Sequence, residues 1–149
     1  MIILLFTVVV FSGFFMPPAS SFNVFADDIE GTSGDDDLEG TDGDDNIDSG
    51  DGDDTITSGD GDDTNICDNK GGNGNGGNDK IKSGKGNDIN YGDNLDGTGT
   101  GGDDKINAGQ GDDTLTGGTG ADKFNCGSGS DSITDFNSAE GDKRTGNCK

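Results

Sequence analysis

The chain has 149 residues, with 30 Gly, 31 Asp or Glu and only 9 Lys or Arg, for a formal net charge of −22. At 26% hydrophobic residues it is too poor in apolar surface for an ordinary globular core, so it is either disordered or ordered by something besides a core. The charge sets nucleic acid and anionic membrane surfaces aside as partners, and the absence of His removes the commonest general base and transition-metal ligand. The acids are mostly Asp, a hard oxygen donor of the kind that calcium and magnesium take.

The first element is an apolar run over residues 2–16, closed by Pro17 and Pro18. It is short for a membrane span, which needs about 20 residues, and suits the core of an export signal. Val24 and Ala26 stand three and one residues before an acidic Asp27-Asp28. Residues 1–26 are therefore expected to be a signal peptide cleaved after Ala26, which places the mature chain outside the cell. No Lys or Arg precedes the apolar run, and an uncleaved anchor is the alternative.

From Gly31 the chain is self-similar with a period of nine: GTSGDDDLE, GTDGDDNID, SGDGDDTIT, SGDGDDTNI, then GNGGNDKIK and SGKGNDINY, then GTGGDDKIN, AGQGDDTLT, GGTGADKFN and CGSGSDSIT. Position four is Gly in all ten units. Position six is Asp in all ten: Asp36, Asp45, Asp54, Asp63, Asp79, Asp88, Asp104, Asp113, Asp122 and Asp131. Position eight is apolar in eight units (Leu38, Ile47, Ile56, Ile81, Ile106, Leu115, Phe124 and Ile133) and is Asn65 or Asn90 in the other two. A fixed period of this kind predicts a solenoid. Two interruptions, each seven residues longer than the period, repeat at an offset of 25, and Asp68 aligns with Asp93. They read as a duplicated surface-loop insertion.

Other patterns fall away. Asp35 opens an EF-hand-like run, but Asn46 stands where the bidentate Glu is required. Two G-x-G-x-x-G matches lie in Gly-rich stretches with no strand leading into a helix. No nucleophile with its base is present, so no enzyme activity is expected. Of three cysteines, Cys126 opens the last unit and Cys148 sits beside the C-terminus. A bridge between them would pin the tail and leave Cys67 free or open to an intermolecular bond; three unpaired thiols are the alternative.

The nonapeptide G-G-x-G-x-D-x-U-x resembles the hemolysin-type calcium-binding, or RTX, repeat from Gly31 to Thr134. The resemblance implies an all-β fold: a right-handed parallel β-roll solenoid of about five coils, with two loop insertions. Two nonapeptides make one coil, a six-residue turn leading into each three-residue strand, with the position-eight side chain pointing inward. Residues 27–134 would form the roll and residues 135–149 a C-terminal cap, with Ile133 and Phe136 closing the apolar ladder. The resemblance also implies several Ca2+ ions held by the ten position-six Asp residues together with backbone carbonyls. Ions sandwiched between alternate units of ten would occupy eight positions. One large apolar side chain per nine residues offsets little of the backbone entropy of ordering them, so calcium is expected to drive folding.

The expected function is thus a secreted calcium-binding repeat protein with a structural or interaction role. A cell-surface adhesion or surface-layer component, or a disordered acidic calcium buffer, are the other readings. Toxin, protease or lipase domains that often precede such repeats are not seen in this sequence, so their activities do not carry over.

Overall fold

The computed structural model describes residues 27–68, 76–93 and 101–149. The apolar N-terminal segment and most of the two insertions lie outside those residues. Among the described residues there are twelve short strands and no helix. The first sheet holds β1 (Asp28–Thr32), β3 (Asn46–Gly50), β5 (Thr64–Ile66), β7 (Ile89–Tyr91), β9 (Thr114–Thr116) and β11 (Ser132–Ile133) in that order. The second runs β2 (Asp37–Glu39), β4 (Thr55–Asp60), β6 (Lys80–Lys85), β8 (Lys105–Gln110), β10 (Lys123–Asn125) and β12 (Lys143–Thr145). Every pairing is parallel, and successive strands alternate between the sheets. This is a parallel β-roll.

The nine-residue period sets the register. Position-eight residues align across the first sheet as Ile29, Ile47, Asn65, Asn90, Leu115 and Ile133. Across the second they align as Leu38, Ile56, Ile81, Ile106 and Phe124, with Arg144 in the last place. Ile47, Ile56, Ile81, Ile106, Leu115 and Phe124 are all buried. Since side chains alternate across a strand, position one also faces inward. Ser49, Ser58, Cys67, Ser83, Ala108 and Cys126 all stand there with no exposed surface. The interior is a ladder of large residues backed by a ladder of small ones, which keeps the two sheets close.

Both ends extend the ten units. Asp27 and Ile29 stand nine residues before Asp36 and Leu38, and they form the strand half of a further unit. The tail supplies β12, so each sheet has six strands and the roll has six coils where ten units alone make about five. Phe136 packs against the core, its ring centroid 6.4 Å from that of Phe124, and the Arg144 guanidinium lies 4.9 Å above it. Cys126 and Cys148 form a disulfide that ties down the tail. Cys67 is unpaired and fully buried. Of the two fates expected for its thiol, free or open to an intermolecular bond, its burial fits the first.

Glycine at position four has a steric reason. Gly111 has φ 138°, and a Cβ on it would run into the carbonyl of Gly86 one coil back. Within the ten units the Asn pair is the polar break in the position-eight ladder. Asn65 Nδ2 donates to Asn90 Oδ1 (3.0 Å) and to Ser58 Oγ (3.1 Å), while Ser83 Oγ donates to Asn90 Oδ1 (2.8 Å). Replacing only Asn90 removes the acceptor of two buried donors. Asn90→Leu is predicted to lower stability by about 1–3 kcal/mol, and Asn65→Leu/Asn90→Leu to recover part of that loss, as read by denaturant midpoints in calcium.

Candidate metal centre

Each six-residue turn carries the chain from one sheet to the other, so turns fall alternately on the two edges of the roll. The position-six aspartates therefore form two files. Asp36, Asp54, Asp79, Asp104 and Asp122 stack along one edge, and Asp45, Asp63, Asp88, Asp113 and Asp131 along the other. In the first file each backbone N–H donates to Oδ1 of the Asp one coil further on, at 2.8, 2.7, 2.9 and 2.9 Å. The second file repeats the arrangement at 2.9, 2.9, 2.9 and 3.0 Å. One oxygen of each of these acceptor carboxylates is thereby committed to holding adjacent coils together.

The other oxygen is not. Oδ2 of Asp54, Asp63, Asp79, Asp88, Asp104, Asp113, Asp122 and Asp131 is buried without a hydrogen-bond partner. Asp36 and Asp45 differ because Oδ2 accepts the N–H of Thr32 (2.7 Å) and of Thr41 (2.6 Å). Removing a carboxylate from water without compensation is costly, and the acidities reflect it. Burial pushes Asp79 and Asp88 up to about 7, Asp104 to about 9 and Asp122 to about 6. Asp54, Asp63 and Asp113 shift the same way for the same reason.

Backbone oxygens gather at the same points. A Cβ built on Gly92 would fall against Asp104 Oδ2 and lie 2.7 Å from the carbonyl oxygen of Gly117 in the next coil. On Gly40 it would lie 2.6 Å from Asp45 Oδ2 and against the Ser58 carbonyl. Glycine at position one thus leaves a cradle between a carboxylate and a carbonyl of successive coils. Among the described residues no three Asp, Glu, Cys or His side chains converge on one point, so carboxylate and backbone oxygens have to act together. That donor set is the one hard divalent cations take, calcium above all.

A family model for the RTX calcium-binding nonapeptide repeat matches residues 30–64 and 98–133 in four copies. The chain carries RTX nonapeptide repeats. RTX repeats bind calcium ions, and this is a calcium-binding repeat protein. Searches of curated proteins and of solved structures gave no match.

The RTX files run further than the ten units. Asp27 N–H donates to Asp45 Oδ1 (2.8 Å), and Asp122 N–H to Oδ1 of Asp142 (3.0 Å), whose Oδ2 accepts the Asn137 N–H (2.7 Å). Asp27 was visible as Asp-x-Ile one period before Asp36. Asp142 was not, because it comes eleven residues after Asp131 and precedes Arg144 where an apolar residue belongs. Position five also has a task that its Asp and Asn residues signalled. Their exposed side chains accept N–H groups from the next coil, as in Asp53 to Asp35 (3.1 Å), Asp62 to Asp44 (2.9 Å) and Asn87 to Asp62 (2.7 Å).

The raised acidities carry a sign. A carboxyl whose folded pKa exceeds its unfolded value of about 3.9 favours folding below that value and loses the contribution as pH rises through the folded pKa. Without bound cations the roll should therefore weaken from about pH 4 up to about pH 9. Far-UV circular dichroism of the calcium-depleted chain is predicted to gain strand signal on acidification across that window. Strand signal that instead grows with rising pH contradicts the assignment of these carboxyls to buried positions.

Proposed function

We propose that this is a secreted protein that folds on binding calcium and serves a structural or interaction role outside the cell. The observation that carries the reading is the division of labour within each carboxylate. Oδ1 is spent on the neighbouring coil, while eight Oδ2 atoms are buried in two files with nothing to bind. Asp54, Asp63, Asp79, Asp88, Asp104, Asp113, Asp122 and Asp131 would ligate calcium through Oδ2, with carbonyls such as that of Gly117 completing the shell. Eight free Oδ2 atoms accord with eight ions between alternate units. Asp36 and Asp45, also expected ligands, stand at the N-terminal end, where ligation requires exchanging the bonds from Thr32 and Thr41.

The link to folding is electrostatic. Stacked coils bring buried carboxylates together, and each raises the pKa of its neighbours, as Asp113 and Asp63 do to Asp88. A divalent ion between coils turns that repulsion into attraction, so binding free energy becomes folding free energy. Export follows from reading residues 1–26 as a cleaved signal peptide. Mass spectrometry of the secreted chain tests this by showing whether it begins at Asp27.

Far-UV circular dichroism and size-exclusion chromatography across a calcium titration test the folding claim. The expected result is a coil spectrum in chelator that becomes a strand spectrum as calcium is added, with a smaller hydrodynamic radius. Oligomers forming on calcium addition would favour the surface-assembly role. An unchanged spectrum and radius would show an acidic coil that buffers calcium without folding.

A further inference from the structure

The two insertions begin with an acid where the regular repeat has glycine or, in its first two units, threonine. Position two is Gly50, Gly59, Gly84, Gly109, Gly118 and Gly127 in six regular turns, but it is Asp68 and Asp93 where the insertions start. Both interrupted turns carry the chain from the first sheet to the second, so they lie in adjacent coils on the same edge. That edge also holds Asp79 and Asp104.

The two carboxyls converge. A Cβ placed on Gly76 would lie against Asp68 Oδ2 and 2.9 Å from Asp93 Oδ1, so the two carboxyls flank one point. Asp93 is anchored: Oδ1 accepts the Gly102 N–H (3.2 Å) and Oδ2 the Thr119 N–H (2.7 Å). Asp68 is 3% exposed, and its Oδ1 has no hydrogen-bond partner. Oδ2 of Asp79 and of Asp104 are also buried and unpartnered. Among the described residues, no Lys or Arg forms an ion pair with any of these four. Asp68 holds φ 67°, a conformation that a non-glycine residue rarely adopts.

Burying two more carboxylates beside two that already lack partners is unfavourable unless a shared proton or a cation joins them, and only a cation can draw in further oxygens as well. We propose that Asp68 and Asp93 form a further calcium site, outside the nonapeptide pattern, that bridges the two interrupted coils. Its remaining ligands would be backbone carbonyls, and the Thr119 carbonyl already lies beside Asp93 Oδ2 at the Gly101 cradle. The insertions then acquire a role, since each brings into the edge file an acid that the regular repeat lacks.

The inference rests on the reading that the roll binds calcium, and the test separates the two. Calcium bound per chain is counted by native mass spectrometry for the full chain, for Asp68→Asn/Asp93→Asn, and for Asp113→Asn on the opposite edge. Asn keeps the shape of Asp and tolerates the left-handed φ at position 68, so circular dichroism in calcium should match the parent. The expected result is one ion fewer in the double variant, with the other ions retained. A count equal to the parent's, while Asp113→Asn lowers it, overturns the insertion site alone, as does loss of every ion in the double variant. A parent chain that binds no calcium overturns the calcium reading and this site with it.

Discussion

A buried carboxylate with one oxygen bonded and the other free is the constraint around which the roll is arranged. From Asp45 onward each position-six Asp spans two coils, taking a backbone N–H of the coil before it on Oδ1, at 2.9 Å between Asp63 and Asp88 for example. The nine-residue period places these bonds one above another, and the parallel register of the strands follows the same spacing. Because the carboxylate is anchored, Oδ2 is held in a fixed direction rather than rotating toward water. A cation that meets such an oxygen finds a ligand whose orientation entropy has already been lost, which is what preorganisation means for a metal site.

The apolar interior sets how closely the two sheets approach, while strand pairing sets the spacing of the coils. Position eight supplies one large side chain per unit, position one only a small one, and Asn65 and Asn90 interrupt even that ladder midway. The hydrogen-bonded Asn pair sits in β5 and β7, neighbouring strands of the first sheet. The ends are finished by ordinary means instead. Thr32 and Thr41 satisfy the first carboxylates, while Phe136 beneath Arg144 and the Cys126–Cys148 disulfide close the last coil.

Much of this was legible because position four, position six and position eight repeat with few exceptions. Gly111, Asp113 and Leu115 each show one of the three demands: a positive φ against the backbone one coil back, a carboxylate on the edge, and an apolar side chain inside. The half-unit at Asp27 and Ile29 and the small residues at position one, such as Ser58 and Ala108, were equally present in the sequence. They go unnoticed because a pattern search stops at the first full repeat and treats serine as polar surface. The unequal use of the two carboxylate oxygens was not legible, because it depends on distances between residues 18 or 25 positions apart. Nor was the convergence of Asp68 with Asp93, which exists only once two turns of unusual length lie in adjacent coils.

The central claim is that calcium occupies the points where a free Oδ2 meets a carbonyl of the neighbouring coil. An anomalous difference map from crystals grown in calcium addresses it directly. The account predicts peaks in two files along the edges of the roll, within about 2.3–2.6 Å of Oδ2 of residues such as Asp88 and Asp104. Peaks confined to the exposed position-five acids, with the buried Oδ2 atoms bound to water or to protein, would contradict it.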